Sequence, residues 1–228
     1  SCNIIGHDGR MITLALPSIG KGPFSIVIEG ENPFAFITTK MHVRAGRRGI
    51  AVGDMLFIRL DSVEYWEPRL FQFPRSFHLK TSIAQLLNDY TQWPKVSERI
   101  AGNKIVRDRL ITGATALQHA LRNGHSTKRT VTYLAGLGFG LTPSGDDYLL
   151  GVMASLWLTR NTSGLEEIAQ SARNKTTSLS AAFLEAASKG EFSESWHQLL
   201  QGIVSQDTKT ARDAIFRFSQ IGASSGWD

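Results

Sequence analysis

At 228 residues with a single cysteine, the chain is long enough to bury a core but has no partner for an internal disulfide. Hydrophobic residues make up 42% and charged residues 20%, which excludes a chain that is disordered as its main state. The formal net charge of +5 is uneven: residues 1–130 carry 18 Lys/Arg against 10 Asp/Glu, and residues 131–228 carry 7 against 10.

No apolar run approaches the ~20 residues a membrane-spanning helix needs, so no membrane partner is expected. Residues 1–8 lack the basic-then-apolar layout of a signal peptide, and a reducing, cytoplasmic location is the simplest expectation. No Cys/His set has zinc spacing, and no metal site is expected. The basic half contains a tight group, Lys40, His42, Arg44, Arg47 and Arg48. It reads first as a solvated loop or strand face, because such charges are costly to bury, and second as an anion or partner surface. No nucleic-acid motif accompanies it, so no nucleic-acid partner is expected.

In chain order, residues 11–16 form an apolar run closed by Pro17, and residues 19–23 a turn. Residues 24–29 and 34–38 are further runs with strand-like content. After the basic group, residues 50–52 and 55–60 flank Gly53-Asp54 as a hairpin would, and residues 63–66 extend the pattern to Pro68. The expectation is a small antiparallel sheet or barrel over residues 1–80.

The period then changes. Residues 82–90 place Ile83, Leu86 and Leu87 on one helical face, and residues 105–122 form a longer helix ended by Asn123-Gly124. Residues 126–135 suit a helix, although Val131-Thr132-Tyr133 suits a strand equally. Residues 143–159 are apolar on all sides, which predicts a helix in the middle of the structure. Helices over 164–172, 178–188, 194–205 and 209–220 complete a mostly helical part spanning 81–228. The fold class is α+β, with both parts expected in one compact unit. The last residues, 221–228, read as a truncated end where a new helix would begin.

The most unusual stretch is Gly136-Leu137-Gly138-Phe139-Gly140-Leu141-Thr142-Pro143-Ser144-Gly145-Asp146-Asp147. Alternate glycines let backbone approach a ligand. Thr142 reads as N-cap and Pro143 as the first helical residue. Free N–H groups at such a helix start favour an anion, and the Thr142 and Ser144 hydroxyls add donors. The plain alternative is a capped turn used for packing. Asp146 and Asp147 complement the helix dipole, worth about 0.3–1 kcal/mol. They also suit a base or a group orienting an amide N–H. Adjacent helix residues point roughly 100° apart, so the two do not readily share one ion.

A second segment, Gly222-Ala223-Ser224-Ser225-Gly226-Trp227-Asp228, repeats the Ser-Gly-x-Asp pattern. Two such helix starts face to face would line a cleft with N–H groups and hydroxyls from Thr142, Ser144, Ser224 and Ser225, near Gly145 and Gly226. Asp147 and Asp228 would be its acceptors. The hydroxyl-rich stretch 176–180 is explained mostly by helix capping.

The run from Gly136 to Asp147, continued by Tyr148-Leu149-Leu150-Gly151, resembles the signature of the AllH-like family. Gly20-Lys21-Gly22-Pro23, Glu64-Tyr65-Trp66-Glu67-Pro68, the hydroxyls of 176–180 and the terminal Gly-x-Ser-Ser-Gly-x-Asp fit the same likeness. Phe139 stands where the family often has proline, and Ala223 where it often has histidine. The resemblance implies a subunit that works with two others to interconvert oxamate plus carbamoyl phosphate with oxalurate plus phosphate, in purine and allantoin nitrogen catabolism. It implies partner subunits, a small anionic substrate and no required cofactor, with Mg²⁺ as an optional companion of the phosphate. The alternatives are a non-catalytic ligand-binding or assembly subunit, and a metal-dependent amidase or phosphohydrolase built on Asp146 and Asp147.

Overall fold

The computed structural model describes residues 1–29, 33–78, 81, 84, 85, 88 and 104–218. The chain forms two compact units, Ser1–Pro68 and Arg69–Asp228, and its class is α+β.

The first unit is built from short strands punctuated by glycine turns. Strands β1 (Cys2–Ile5), β2 (Met11–Ala15) and β3 (Ser25–Val27) form one sheet in that order. Strands β4 (Val43–Gly46), β5 (Gly49–Val52) and β6 (Leu56–Arg59) form a second, fully antiparallel one. Apolar side chains from both sheets share one core: Leu14, Ile50, Val52 and Ile58 are buried, with Ile4, Ile26, Val43 and Leu56 packed against them.

Several sequence expectations are corrected here. β2 and β3 pair in parallel, because residues 16–24 carry the chain back before β3 begins. The apolar run at 34–38 is not a strand: Pro33–Phe36 is a 3₁₀ turn, which the fixed φ of proline at its first position favours. Residues 63–66 form no strand, and Tyr65 is 90% exposed. The hairpin at Gly53 stands as read, with Gly53 at φ +57° between β5 and β6.

The second unit is helical. Thr81, Ala84, Gln85 and Asn88 are helical, and the remaining residues of the helix read over 82–90 lie outside the described ones. Seven helices follow among the described residues: α1 (Lys104–Arg122), α2 (Lys128–Leu134), α3 (Ser144–Leu158), α4 (Leu165–Ala172), α5 (Ser178–Ser188), α6 (Glu194–Val204) and α7 (Thr208–Phe218). The ambiguous stretch around Val131 is thus helical, and Val131 and Leu134 are fully buried. α3 packs against α1, α2, α4 and α5, as a helix apolar on all sides must.

An extended segment stitches this bundle together. Leu70 donates its N–H to Gly190 O (2.8 Å), Phe73 donates to Leu158 O (2.9 Å), and Trp157 Nε1 donates to Leu70 O (2.9 Å). α2 lacks a side-chain cap of its own, and Glu167 from α4 supplies one. Its carboxylate accepts from the Ser126 hydroxyl and from the N–H groups of Thr127 and Lys128 (both 3.1 Å).

Gly190 sits at φ +80°, and a Cβ there would lie 2.2 Å from the Trp157 ring. Gly190→Ala is expected to cost about 2–3 kcal/mol, because backbone strain and overpacking act together. Urea unfolding of the variant checks this; a loss below about 1 kcal/mol would show that Trp157 yields freely.

Candidate functional site

The glycine loop between α2 and α3 takes its shape from three glycine contacts. Gly136 has φ +73° and Gly138 φ +124°, values that favour glycine over any other residue. A Cβ at Gly136 would meet Lys175 O at 2.3 Å, and one at Gly138 would meet Ser144 N at 2.8 Å. On the helix side, Gly145 lets α3 touch the end of α2, since a Cβ would fall 2.0 Å from Leu134 O. Gly140 also has positive φ, +88°. Much of the glycine content therefore serves close packing of the loop against α3 and the residue before Thr176.

The start of α3 differs from the expectation. Pro143, not Thr142, is the N-cap, with φ −59° and ψ 147°, and Ser144 begins the helix. The residue before a proline is pushed away from helical geometry, and the proline itself already has the extended ψ that a cap requires. Three early N–H groups are consumed inside the protein. Gly145 donates to Leu137 O (2.8 Å), while Asp146 (2.8 Å) and Asp147 (3.2 Å) both donate to Pro143 O. Ser144 N–H has no acceptor among the described residues. The set of free donors is thus smaller than a bare helix start would offer.

Asp146 is the electrostatic centre of the site. It is 2% exposed, its Oδ1 accepts the Gly136 N–H (3.0 Å), and its Oδ2 accepts the Thr176 hydroxyl. The Ser180 hydroxyl also lies near this carboxyl, although it donates to Leu141 O. Burial pushes the Asp146 carboxyl above the usual carboxylate range, while Thr176, Gly136 and the nearby Ser180 hydroxyl pull the other way.

The hydroxyls before and within α5 do more than cap it. Thr177 accepts from Ser180 N–H (3.1 Å) as an ordinary N-cap and also donates to Leu141 O (2.5 Å). Ser180 donates to the same carbonyl (3.2 Å). Thr176, Thr177 and Ser180 therefore hold both ends of the loop, a role that capping alone did not suggest. The available signal was the density of hydroxyls beside a second glycine-free turn.

The structure brings Gly136, Gly138, Gly140, Thr142, Ser144, Gly145, Asp146 and Asp147 together around one helix start. Ser144 is buried and Thr142 and Asp147 are half-buried. Phe139 and Leu141 project outward at 69% and 65% exposure. Ser224, Ser225, Gly226 and Asp228 lie outside the described residues, so the second half of the expected cleft has no described geometry. Among the described residues, no group of three or more His, Cys, Asp or Glu is placed to hold a metal ion, and no helix is long and apolar enough to cross a membrane.

The raised Asp146 carboxyl has a pH signature. Its contribution to stability is complete below the unfolded value of 3.8 and is lost as pH rises through the folded value. Asp146→Asn removes that titration. The stability of the variant relative to the parent should therefore become more favourable as pH rises from below 3.8 toward neutrality. Urea midpoints across that range test the sign; a difference that does not move with pH would show Asp146 to be ordinary.

Compared with known families, residues 134–228 match the family described as oxamate carbamoyltransferase subunit AllH. The match begins at the last residue of α2 and contains the whole glycine loop, α3 and the hydroxyls of 176–180. No solved structure matches the chain.

Proposed function

We propose that this chain, whose residues 134–228 match the oxamate carbamoyltransferase subunit family, is a working subunit of such an enzyme, exchanging a carbamoyl group between phosphate and oxamate with partner subunits. The observation that carries the reading is the coincidence of the family match with the one loop whose backbone is pinned at both ends by Asp146, Thr176, Thr177 and Ser180.

In this reading the loop backbone, Ser144 N–H and the Thr142 and Ser144 hydroxyls hold the phosphate and polarise the carbamoyl carbonyl. The oxamate amide nitrogen attacks that carbonyl, the C–O bond to phosphate breaks, and the amide gives up a proton. Asp147 orients that nitrogen and accepts the proton, with Asp228 as a second acceptor. Asp146 serves by position, since both of its oxygens are already engaged within the chain.

One observation favours a second reading, a non-catalytic subunit whose turn is packing. The N–H groups of Gly145, Asp146 and Asp147 are spent on internal carbonyls. Thermal unfolding of the isolated chain with phosphate, carbamoyl phosphate, oxamate and oxalurate separates the two. Saturating ligand should raise stability by about 2–3 kcal/mol. A Ser144→Ala, Asp147→Ala double variant should lose that gain. No shift with any ligand, together with full activity of an assembled enzyme carrying Asp147→Asn, would assign the chemistry to other subunits.

A further inference from the structure

The first unit has a feature of its own. A cleft of about 1230 Å³ runs beside β1 and β4 and is lined by both strands. Each of these is the end strand of its sheet, so each has one edge with no strand beside it among the described residues. Their hydrogen-bond phase shows which residues point outward from those edges.

In β1 the Gly6 N–H donates to Arg10 O (2.8 Å), which marks that pair as hydrogen-bonded. Alternation along the antiparallel register assigns Ile4↔Ile12 and Cys2↔Leu14 to the same class. The backbone groups of Asn3 and Ile5 then face away from β2. On the far side of β2, the Thr13 N–H donates to Phe24 O, as this phase requires. In β4 the Gly53 N–H donates to His42 O (2.8 Å), so Arg44↔Ala51 and Gly46↔Gly49 bond to β5. Val43 and Ala45 face away. The cleft is lined by Asn3, Ile5, Val43 and Ala45, together with Cys2, Ile4, Gly6 and His42 of the bonded phase, whereas Arg44 and Gly46 do not line it.

Charge identifies the occupant. The acidic and basic side chains of the lining are His7, Asp8, Arg10, Lys40 and His42. Asp8 and Arg10 neutralise each other (Nε–Oδ2 2.5 Å). Lys40 and His42 are exposed, have no side-chain partner among the described residues, and continue into exposed Arg44, Arg47 and Arg48 along and beyond β4. We infer that this cleft is a docking site for an extended, acidic peptide strand of a partner polypeptide, which adds to the free edges of β1 and β4 and lays its carboxylates against the basic group. Edge addition supplies affinity through main-chain hydrogen bonds and leaves specificity to side chains at alternate positions. An exposed edge otherwise carries unsatisfied donors and acceptors.

The test uses the full chain and a capped peptide of alternating Glu and Val long enough to run along β1. Amide exchange read by NMR should slow at Asn3, Ile5, Val43 and Ala45 on adding peptide. A Gln–Val counterpart should bind about tenfold more weakly, as should the parent peptide to a Lys40→Gln, His42→Gln, Arg44→Gln variant. Ala45→Pro removes one outward N–H without touching the β5 ladder and should weaken both peptides alike. Unchanged melting of the Gln variant separates lost charge from lost fold. The proposal is overturned if the peptide leaves those four amides unprotected, or if single-stranded oligothymidylate binds the same residues more tightly than the peptide.

Discussion

The carboxylate of Asp146 organises the helical unit around one point. It joins the first residue of the glycine loop to Thr176, 30 positions further along the chain from Asp146, with no cation beside it among the described residues. An ionised carboxylate in such a place is costly unless its lone pairs are occupied. Two hydrogen bonds, one on each oxygen, occupy them here, and the same bonds bring α3, the loop and the start of α5 into register. Beside that anchor, the positive-φ glycines Gly136 and Gly138 lie close against Lys175 O and Ser144 N.

This arrangement changes how the paired aspartates divide their work. Adjacent residues on a helix face different surroundings, and Asp146 faces the interior while Asp147 is half-buried. The buried member is held by hydrogen bonds from Gly136 and Thr176, and its neighbour lies nearer the surface. The family match covers both together with the hydroxyls that complete the anchor, so the structural logic of the loop is contained within residues 134–228. Exposed Phe139 and Leu141 at the tip add an apolar border to an otherwise polar turn.

The first unit follows a separate logic. Two small sheets share one core, and the edges of β1 and β4 that no described strand covers border one cleft. The basic group lies on and beside one of those edges, where its cations remain solvated. Its exposure agrees with the reading of a solvated strand face, and its position beside an open backbone edge is what turns a charge cluster into a recognisable surface.

Periodicity and punctuation alone determined the α+β class, the helix ends near Gly124 and Ser188, the central place of the apolar helix α3 and the glycine loop before it. Each depends on residues close in sequence, where spacing and φ preference act directly. Local patterns misled where short apolar runs had no length to decide between strand and turn, as at Pro33–Phe36. Only the tertiary structure decided that β3 runs parallel to β2, that Glu167 caps a helix on another element, and that Asp146 is an internal anchor. The same holds for Thr176 and Ser180, which look like caps in sequence and act as clamps in space. Such roles depend on which groups meet after the chain folds back on itself, and hydrogen-bonding residues carry no local mark of a partner 30 or 40 positions away.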